Sequence, residues 1–572
     1  MRPSLLLLLL LAVAGTALGL EVMLRAPADA QRPPVVESTG RLAAVAGVPQ
    51  GHVYTGIAEE PDDVNPYTAN SNVVRRYVFA FTHDTLLDSD PATGALRGSL
   101  AETFERSPDG TSCVFTLRQG VRFADGSPLT MDDVLFGWEL MRAGNVPIGG
   151  VGDALRRTAS VDVLDERRFR VTFRDVHHAA TNAVGEAWIV GRKQFFVDRV
   201  AALAQRDGVP APVVGSAEFA QYFSRIRTEC GPGTGPYRLD NAPDGGGTWR
   251  RRSDLVLVPN AFSWRRAANP GTWNFAGIRL LFRDSAGAMA ALLAGELDWF
   301  SSPDVDAVLR AHPDLATRYE KVSYDYRTLG VFRVIWNCRR TPLDLPEVRR
   351  ALGMLFDQDA VLAAFGGNGT KAKALAKPDS PEYPRDLEPP PYSPAEARRL
   401  LRESGFDPEN GTALRLRVIA PAGLDALRRA LDLFAGACRQ AGVELDLRVV
   451  DWSVFLAQKN ALEWDGLAVQ QMFRAWADPY DLVHTGGADN DGAWSNAEAD
   501  ELVERARAAM DPALRTDLLR RLHEIVLREQ PAAFLLHPRV ALLRSVKIRG
   551  STTGPLGLVL EHAYYDSGPA PK

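Results

Sequence analysis

Residues 114–134 carry the most informative pattern of apolar and polar positions in the chain. The apolar β-forming residues there are Val114, Phe115, Leu117, Val121 and Phe123, and the turn-forming sequence Asp-Gly-Ser-Pro occupies 125–128. Thr130 and Asp133 then have the spacing of a capping box. The pattern predicts a strand, a tight turn and the start of a helix.

Other segments of the first third also predict local structure. Asp109-Gly110 lies between two extended segments, and the strand-like residues 161–164 and 168–173 flank Asp165-Glu166. Both arrangements predict β-hairpins. Residues 77–87 are apolar enough to predict a buried helix.

Later in the chain, predicted strands alternate with amphipathic helices. Residues 518–527 predict the last of these helices, and residues 533–536 predict a strand after it. This alternation favours mixed α/β lobes. Helix starts are predicted where a capping residue or a proline precedes an apolar stripe. These residues are Asp284, Pro346, Ser393 and Asn496. The helix that starts at Ser393 is predicted to end at Gly405.

Composition limits the class of protein and its partners. The chain has 572 residues, 46% hydrophobic and 24% charged, as expected for a soluble globular protein with more than one domain. Its net charge is -5, and positive and negative residues are interspersed. No basic block offers the roughly 6 to 10 phosphate contacts of a nucleic-acid site. We therefore expect no nucleic-acid partner.

The N-terminus has the order of an export signal, because Arg2 precedes an apolar block at positions 5–20. Residues 1–30 are predicted to be a signal peptide or N-terminal anchor, and the unpatterned residues 31–50 a linker. Cleavage is the favoured outcome, and an uncleaved block would tether the protein to the inner membrane. No cysteine follows the block for lipid attachment, so the predicted location is the periplasm.

Six segments resemble one protein family in the expected order. Residues 114–134 are similar to the signature of the extracellular solute-binding protein family 5, the dipeptide-, oligopeptide- and nickel-binding receptors of bacterial ABC importers. Ala124 stands where that family usually has His. The resemblance spans residues 53–549, and its other segments lie at 65–94, 233–239, 282–298, 336–352 and 494–502.

The resemblance implies an α/β fold of the type II periplasmic-binding-protein kind, with two lobes joined by a hinge and an extra domain inserted in the first. It implies a monomer that captures a peptide-like solute in the interlobe cleft and delivers it to an ABC permease in the inner membrane. No cofactor is expected. The implied division assigns residues 51–90, 232–325 and 535–572 to lobe I, 91–231 to the inserted domain and 326–534 to lobe II.

Asp478 is the leading candidate for ligand binding. Residues 474–481 resemble the loop in which peptide-binding relatives place an aspartate against the α-ammonium group of the ligand. A cationic ligand would supply the partner that a buried carboxylate needs. The alternative is that Asp478 starts a turn and bonds backbone amides. Trp476 and Trp494 are candidate pocket walls, and a place in the core is the alternative that each residue favours when taken alone.

Three further residues are candidate ligand contacts. The resemblance places Ser71 and Asn72 near where relatives contact the ligand backbone from the opposite lobe. Arg333 is a candidate for a ligand carboxylate, because a guanidinium group binds a carboxylate with two hydrogen bonds. Solvation at the surface is the alternative role for this arginine.

No metal site is expected. His177 and His178 are adjacent, and neighbouring residues of a strand point to opposite faces, which is poor geometry for chelation. The four cysteines are widely spaced and fit no CxxC pattern. Cys338 and Cys438 are the candidate disulfide pair, and four buried free thiols are the open alternative.

Other functions fit the sequence less well. A membrane-tethered sensor or adaptor with the same fold, and a receptor for a sugar, an opine or a metal chelate, remain alternatives. An enzyme is not expected, since the sequence contains no Gly-x-Ser-x-Gly elbow or HExxH helix. It also contains no Walker motif, so an ATPase that powers transport would be a separate protein.

Overall fold

The computed structural model describes residues 24–25, 52–57, 60–69, 71, 74–143, 157–239, 249–302, 304–325, 330–422, 424–471, 478–555 and 557–565. Residues 31–50, and residues 1–30 apart from 24–25, lie outside this range. The chain forms two compact units. Of the described residues, the first unit comprises those between 24 and 322 and between 542 and 565, and the second unit comprises those between 323 and 541. Each unit combines sheets with helices, as the predicted α/β class requires.

The first unit contains a nine-stranded sheet among the residues described. The strand His52–Ile57 lies near its middle and pairs in parallel with Gly277–Phe282, from Gly277 opposite His52 to Phe282 opposite Ile57. Two further strands pair beside the main path of the sheet: Leu24–Arg25 pairs with His52–Ile57, and Tyr237–Leu239 pairs with Asp254–Pro259. In spatial order the main strands are Trp249–Arg250, Asp254–Pro259, Gly277–Phe282, His52–Ile57, Trp299–Ser301, Val540–Ser545 and Tyr319–Tyr324.

A second, antiparallel sheet of the first unit contains the two predicted hairpins. Its strands are, in spatial order, Ala101–Arg106, Ser112–Leu117, Arg168–Phe173 and Thr158–Val163. The helix Met131–Ala143 follows the strand and turn of the 114–134 segment. The backbone N–H and the hydroxyl of Thr130 both donate to the Asp133 carboxylate, at 3.0 and 2.6 Å. The structure therefore confirms the predicted strand, turn and capped helix.

The buried helix predicted for residues 77–87 is shorter than expected. A π-helical turn at Arg75–Phe79 continues into the short helix Ala80–Thr82 and ends there. The next residue but one, Asp84, is buried, and its carboxylate accepts hydrogen bonds from Thr234, Trp264 and Arg265. These contacts and the backbone pairing that begins at Thr85 hold the chain extended, so apolar content alone gave the wrong length.

Among the described residues, the remaining elements of the first unit are helices and three small two-stranded sheets. The helices are Ala180–Ala187, Lys193–Arg206, Ala217–Phe223, Trp264–Ala268, Ser285–Ala294 and Val305–Ala311, with a 3-10 helix at Pro313–Thr317. The small sheets pair Leu87–Ser89 with Leu96–Gly98, Ile548–Arg549 with Tyr564–Tyr565, and Thr552–Gly554 with Gly557–Val559. As predicted, Asp284 caps its helix by accepting the N–H of Gly287 at 2.7 Å.

The second unit is built on a six-stranded mixed sheet. Its central strand Val331–Trp336 is buried at every position and pairs antiparallel with both neighbours. Side chains from the two faces enter two separate hydrophobic cores, so helices cover both faces. In spatial order the strands are Gly369–Lys371, Ala532–Pro538, Val331–Trp336, Gly466–Gln471, Arg415–Pro421 and Glu444–Val450.

The helices of the second unit begin where the capping signals predict. Ser393 accepts the N–H of Glu396 at 3.3 Å, and Asn496 accepts that of Ala499 at 3.0 Å. The helices are Pro346–Gly353, Gln358–Ala364, Pro394–Glu403, Asp425–Ala441, Trp452–Asn460, Tyr480–Val483, Ala497–Ala508 and Pro512–Glu529, with a 3-10 helix at Pro408–Asn410. The last helix is longer than its predicted span of 518–527, because Asp511 caps it and Pro512 opens it.

Among the helices that the structure describes, none has both the length and the apolar character needed to cross a membrane.

Candidate functional site

Asp478 is nearly buried and carries an ion pair inside the second unit. Its side chain is 6% exposed, and Oδ2 accepts hydrogen bonds from Nε and Nη2 of Arg507 at 3.0 and 2.6 Å. Oδ1 accepts the backbone N–H of Tyr480 at 3.1 Å, at the start of the helix Tyr480–Val483. The guanidinium group of Arg507 also lies 3.7 Å from the centre of the Tyr480 ring. Asp478 therefore fixes the start of this helix.

This pairing bears on the predicted role of Asp478 as a ligand anchor. A ligand ammonium group would have to compete with Arg507, which already neutralises the carboxylate. The bond from Tyr480 is the turn-starting contact that the sequence offered as the alternative. The anchor role stays a prediction, and the ion pair weighs against it. Trp476, the predicted neighbour in the same loop, lies outside the described residues.

Trp494 belongs to a hydrophobic core of the second unit and is 4% exposed. Its Nε1 donates to Oε2 of Glu529 at 2.9 Å, while Nδ2 of Asn496 donates to Oε1 of the same carboxylate at 2.6 Å. Glu529 is the last residue of the helix Pro512–Glu529. Through Glu529, the segment that leads into the helix Ala497–Ala508 is thus hydrogen-bonded to the end of the helix Pro512–Glu529. Trp494 also lines the cavity beside Arg333.

Arg333 borders a small cavity that lies entirely within the second unit, here called the Arg333 cavity. The cavity has a volume of about 20 Å³, which is room for one or two water molecules. It is lined by Arg333, Ile335, Leu375, Leu482, Val483, Asp489, Asn490, Asp491, Gly492, Trp494, Val526, Pro531, Ala532 and Phe534. The structure therefore brings together two predicted site residues, Arg333 and Trp494.

Arg333 is only 4% exposed, in contrast to the surface position that was its alternative. Its Nη2 donates to Oε1 of Gln471 at 2.9 Å, and its buried Nε has no hydrogen-bond partner among the described residues. Burial lowers the pKa of Arg333 to about 10, and the negative charges of Asp491 and Asp489 act in the opposite direction. Arg333 remains a cation at neutral pH, in surroundings that solvate it poorly.

The loop 489–492 forms the polar side of the Arg333 cavity, and it is not among the residues predicted from the sequence. Asp491 pairs with Lys459 at 2.9 Å, and the Asn490 side chain donates to the backbone oxygens of His484 and Trp494. The loop lies so close to the strand Val331–Trp336 that a Cβ atom on Gly492 would be 2.4 Å from the Trp336 carbonyl oxygen. The signal in the sequence is the Asp-Asn-Asp run three residues before Trp494.

Ser71 is a residue of the first unit, and its structure is local. Its hydroxyl accepts the N–H of Val74 at 3.4 Å and its backbone oxygen accepts that of Arg75 at 3.1 Å, so it starts the helical turn that follows. Its predicted contact with a ligand stays a prediction. Asn72 lies outside the described residues.

The candidate disulfide between Cys338 and Cys438 is absent, and both residues are free thiols. Cys438 lies within a hydrophobic core on the helix Asp425–Ala441, and Cys338 packs against the same core, with Sγ 3.5 Å from the carbonyl oxygen of Trp336. Cys113 and Cys230 are free as well. All four cysteines are therefore free thiols, and all but the partly buried Cys338 are buried, as the alternative expected.

The geometry predicted for His177 and His178 is wrong. The pair follows the strand Arg168–Phe173 rather than lying in it, and the two rings stack with centroids 5.0 Å apart. The His177 ring accepts the backbone N–H of Ala179 at 3.0 Å, which is a structural contact. Within the described part of the chain, no group of three or more His, Cys, Asp or Glu residues is arranged to hold a metal ion.

The described chain thus forms two mixed α/β units, with a small cavity beside Arg333 in the second unit. The sequence model of the bacterial extracellular solute-binding proteins, family 5 Middle, matches residues 95–494. The chain belongs to this family of solute-binding proteins. The resemblance found in the sequence is thereby confirmed.

Known proteins of similar sequence span nearly the same length. The oligopeptide-binding protein AppA of Bacillus subtilis (strain 168) is 22% identical over 77% of this chain and 78% of its own. The glutathione-binding protein GsiB of Salmonella typhimurium (strain LT2) is 23% identical over 89% of this chain and 93% of its own.

Solved structures share the fold. AppA of Bacillus subtilis in complex with a nonapeptide covers 88% of this chain and 96% of its own, with a TM-score of 0.66 and 19% identity. NikA of Brucella suis in complex with Fe(III)-EDTA covers 90% of this chain and 99% of its own, with a TM-score of 0.70 and 17% identity. The predicted α/β binding-protein fold is confirmed.

Proposed function

We propose that this protein is a peptide receptor that binds a peptide-like solute outside the cytoplasm and delivers it to an ABC permease. The observation that carries the proposal is the match to solute-binding family 5 over residues 95–494. The ligand class is supported by relatives that align over most of their length, which bind oligopeptides and the tripeptide glutathione. Binding of peptides through their main chain would accept varied sequences.

The proposed location is the periplasm, with a monomer that meets its permease at the inner membrane. The export-signal order of residues 1–20 supports this location. In the alternative form of this proposal, the N-terminal segment is not cleaved and tethers the protein to the inner membrane. N-terminal sequencing of the protein recovered from the periplasm distinguishes the two forms, since cleavage removes the apolar block.

The domain division also stays a proposal. The four-stranded sheet and its hairpins lie within residues 91–231, the span proposed for the inserted domain. The nine-stranded sheet draws strands from each of the three segments 51–90, 232–325 and 535–572, which are proposed to form lobe I. The six-stranded sheet supports a lobe II close to residues 326–534.

A ligand screen of the exported protein tests the function. Thermal unfolding is measured with peptides of two to nine residues, with sugars and with nickel chelates, and native mass spectrometry measures the bound mass. A ligand at a hundred times its dissociation constant adds about 2.7 kcal/mol of stability, which is easily measured. Stabilisation by peptides supports the proposal. Stabilisation by sugars or chelates alone overturns the ligand class, and no response to any ligand favours the tethered sensor or adaptor.

A further inference from the structure

His484 connects the short helix Tyr480–Val483 to the loop 485–492. Its backbone N–H donates to the carbonyl oxygen of Tyr480 at 2.9 Å, and its ring stacks on the Tyr480 ring with centroids 4.2 Å apart and planes 13° from parallel. Its own carbonyl oxygen accepts a side-chain N–H of Asn490 at 3.0 Å. Contacts from the helix and from the far end of the loop therefore meet at this residue.

The two ring nitrogens of His484 make different hydrogen bonds. Nδ1 accepts the backbone N–H of Gly486 at 2.9 Å, so Nδ1 carries no proton in this arrangement. Nε2 lies 3.0 Å from Oε1 of Glu504, on the helix Ala497–Ala508. In a neutral imidazole the other nitrogen carries the proton, so Nε2–H donates to the Glu504 carboxylate.

A proton on Nδ1 is incompatible with the hydrogen bond from Gly486. Protonation turns this nitrogen into a second N–H donor, which would face the N–H of Gly486 and could not accept it. The bond from Nε2 to Glu504 survives and becomes a bond between two charged groups. Protonation of His484 thus exchanges a contact within the loop for a stronger contact with the helix Ala497–Ala508.

The elements that contact His484 carry more acidic than basic residues. Glu504 contacts the ring itself, and Asp500 accepts the backbone N–H of Thr485 at 2.9 Å. These carboxylates favour a positive charge on the ring. On the short helix, the loop and the helix Ala497–Ala508, the acidic residues are Asp481, Asp489, Asp491, Glu498, Asp500, Glu501 and Glu504, and the basic residues are Arg505 and Arg507.

The two arginines oppose this charge only weakly. Arg505 is engaged in an exposed ion pair of its own helix. Arg507 pairs with Asp478, and its guanidinium group lies 3.7 Å from the centre of the Tyr480 ring. The His484 ring lies so close to the same centre that the two groups must occupy opposite faces of Tyr480. The tyrosine ring therefore separates His484 from the nearest cation on these elements.

The tip of the loop depends on the Gly486 bond more than the end of the loop does. The end is fixed by Asn490, whose amide donates to two backbone oxygens, and by the close packing of Gly492 against the strand Val331–Trp336. The tip contains Gly486 and Gly487, and glycine loses more conformational freedom on ordering than any other residue. Loss of one hydrogen bond should therefore loosen the tip and leave the end in place.

We propose that His484 is a pH-sensitive latch of the loop 485–492. The neutral ring holds the N–H of Gly486 and keeps the tip ordered, whereas the protonated ring pairs with Glu504 and releases it. Histidine ordinarily changes its charge between about pH 5 and 8, and the His484 side chain is 16% exposed, so protons from solvent reach it. The tip leads directly into residues 489–492 of the Arg333 cavity, so the latch controls the approach to that wall. The inference goes beyond the proposed function and holds for any ligand.

Hydrogen exchange followed by mass spectrometry tests the latch. Exchange of the amides at 485–491 in the full chain is measured from about pH 7.5 to about pH 5 and corrected for the effect of pH on the intrinsic rates. We expect protection of the segment that contains Gly486 to fall by about 5-fold on acidification, a factor typical of the loss of one hydrogen bond. The strand Val331–Trp336 should keep its protection throughout.

Three variants separate His484 from general effects of acid. His484→Asn places an oxygen where Nδ1 accepts the N–H of Gly486 and has no charge to gain, so protection should not depend on pH. Glu504→Gln removes the charge that favours the protonated ring, so the loss of protection should move to lower pH. His562→Asn changes an exposed histidine of the first unit and should behave as the wild type.

Four outcomes would overturn the latch. A loss of protection in His484→Asn equal to that in the wild type would assign the effect to another group. Constant protection in the wild type would show that no release occurs, and a parallel loss in the strand Val331–Trp336 would show general unfolding by acid. Glu504 is exposed, so Glu504→Gln tests the proposal even if His484→Asn does not fold. An unchanged transition pH in Glu504→Gln would contradict the exchange of partners.

Discussion

Arg507 and Asp478, 29 positions apart in the sequence, form a largely buried ion pair in which two guanidinium nitrogens approach one carboxylate oxygen at 3.0 and 2.6 Å. Their side chains are 17% and 6% exposed. Because removal of one partner leaves the other charge buried, breaking this pair should cost far more stability than breaking a surface ion pair of the same helix.

Arg507→Met should therefore destabilise the second unit by about 3 kcal/mol, since Asp478 is left with an uncompensated charge. Urea unfolding followed by circular dichroism measures the loss. Arg505→Met is the matched control on the same helix: its partner Glu501 is exposed, and the change should cost less than about 1 kcal/mol. Equal effects of the two substitutions would contradict the burial argument.

Trp494→Phe should lower the free energy of unfolding by about 1–2 kcal/mol, because it removes the N–H that donates to Glu529. Most of the ring stays in the core, so the loss of packing is small. Trp452→Phe is the control, since Nε1 of Trp452 has no hydrogen-bond partner among the described residues. Chemical unfolding of both variants gives the comparison. A larger loss at Trp452 would show that ring volume, and not the hydrogen bond, dominates.

Gly492→Ala should destabilise the protein by about 1–3 kcal/mol, because the new methyl group would lie 2.4 Å from the Trp336 carbonyl oxygen. Gly436→Ala has the opposite expectation. Gly436 lies inside the helix Asp425–Ala441, and its nearest neighbour to an added Cβ is 3.8 Å away, so alanine should stabilise the helix by about 0.5–1 kcal/mol. Melting temperatures of the two variants should move in opposite directions.

His523 should make stability depend on pH. Burial lowers the pKa of His523 to about 4, below the value of about 6.5 in an unfolded chain. The unfolded state therefore binds the proton more readily. The contribution of His523 to the free energy of unfolding is complete above the unfolded pKa and is lost as the pH falls towards the folded pKa. From neutral pH down to about pH 5.5, the loss should be about 1 kcal/mol.

Denaturant unfolding at several pH values, with the wild-type protein and His523→Leu, measures this contribution. The substitution should reduce the loss of stability on acidification. His562→Leu is the control, because His562 is exposed. His537 is a second buried histidine with its pKa lowered to about 4, so some acid sensitivity should persist in the His523 variant. An identical pH profile for wild type and His523→Leu would contradict the assignment.

Local features of the fold were predictable from the sequence. The caps at Ser393 and Asn496 and the bond between Thr130 and Asp133 join residues three positions apart, so a short segment contains all the information. The predicted helix at 77–87 failed for the opposite reason. The chain there is held by Thr234, Trp264 and Arg265, which are distant in the sequence.

The site was predictable only in part. Arg333 was a candidate because of its residue type, but its burial depends on a strand in the middle of a sheet. The partner of Asp478 and the loop 489–492 beside Arg333 come from separate segments that only the folded chain brings together. A sequence pattern cannot show that the Asp478 carboxylate is paired with Arg507, and this ion pair weighs against the predicted ligand contact without testing it.

The four free thiols have a practical consequence for following ligand binding in solution. Burial raises the pKa of Cys113 to about 11 and of Cys230 to about 12, and burial also raises the pKa of Cys338 and Cys438. Maleimide dyes react with the thiolate, which is scarce at such sites at neutral pH. A fluorophore attached to one cysteine introduced at the surface would therefore report on binding without prior removal of the native cysteines.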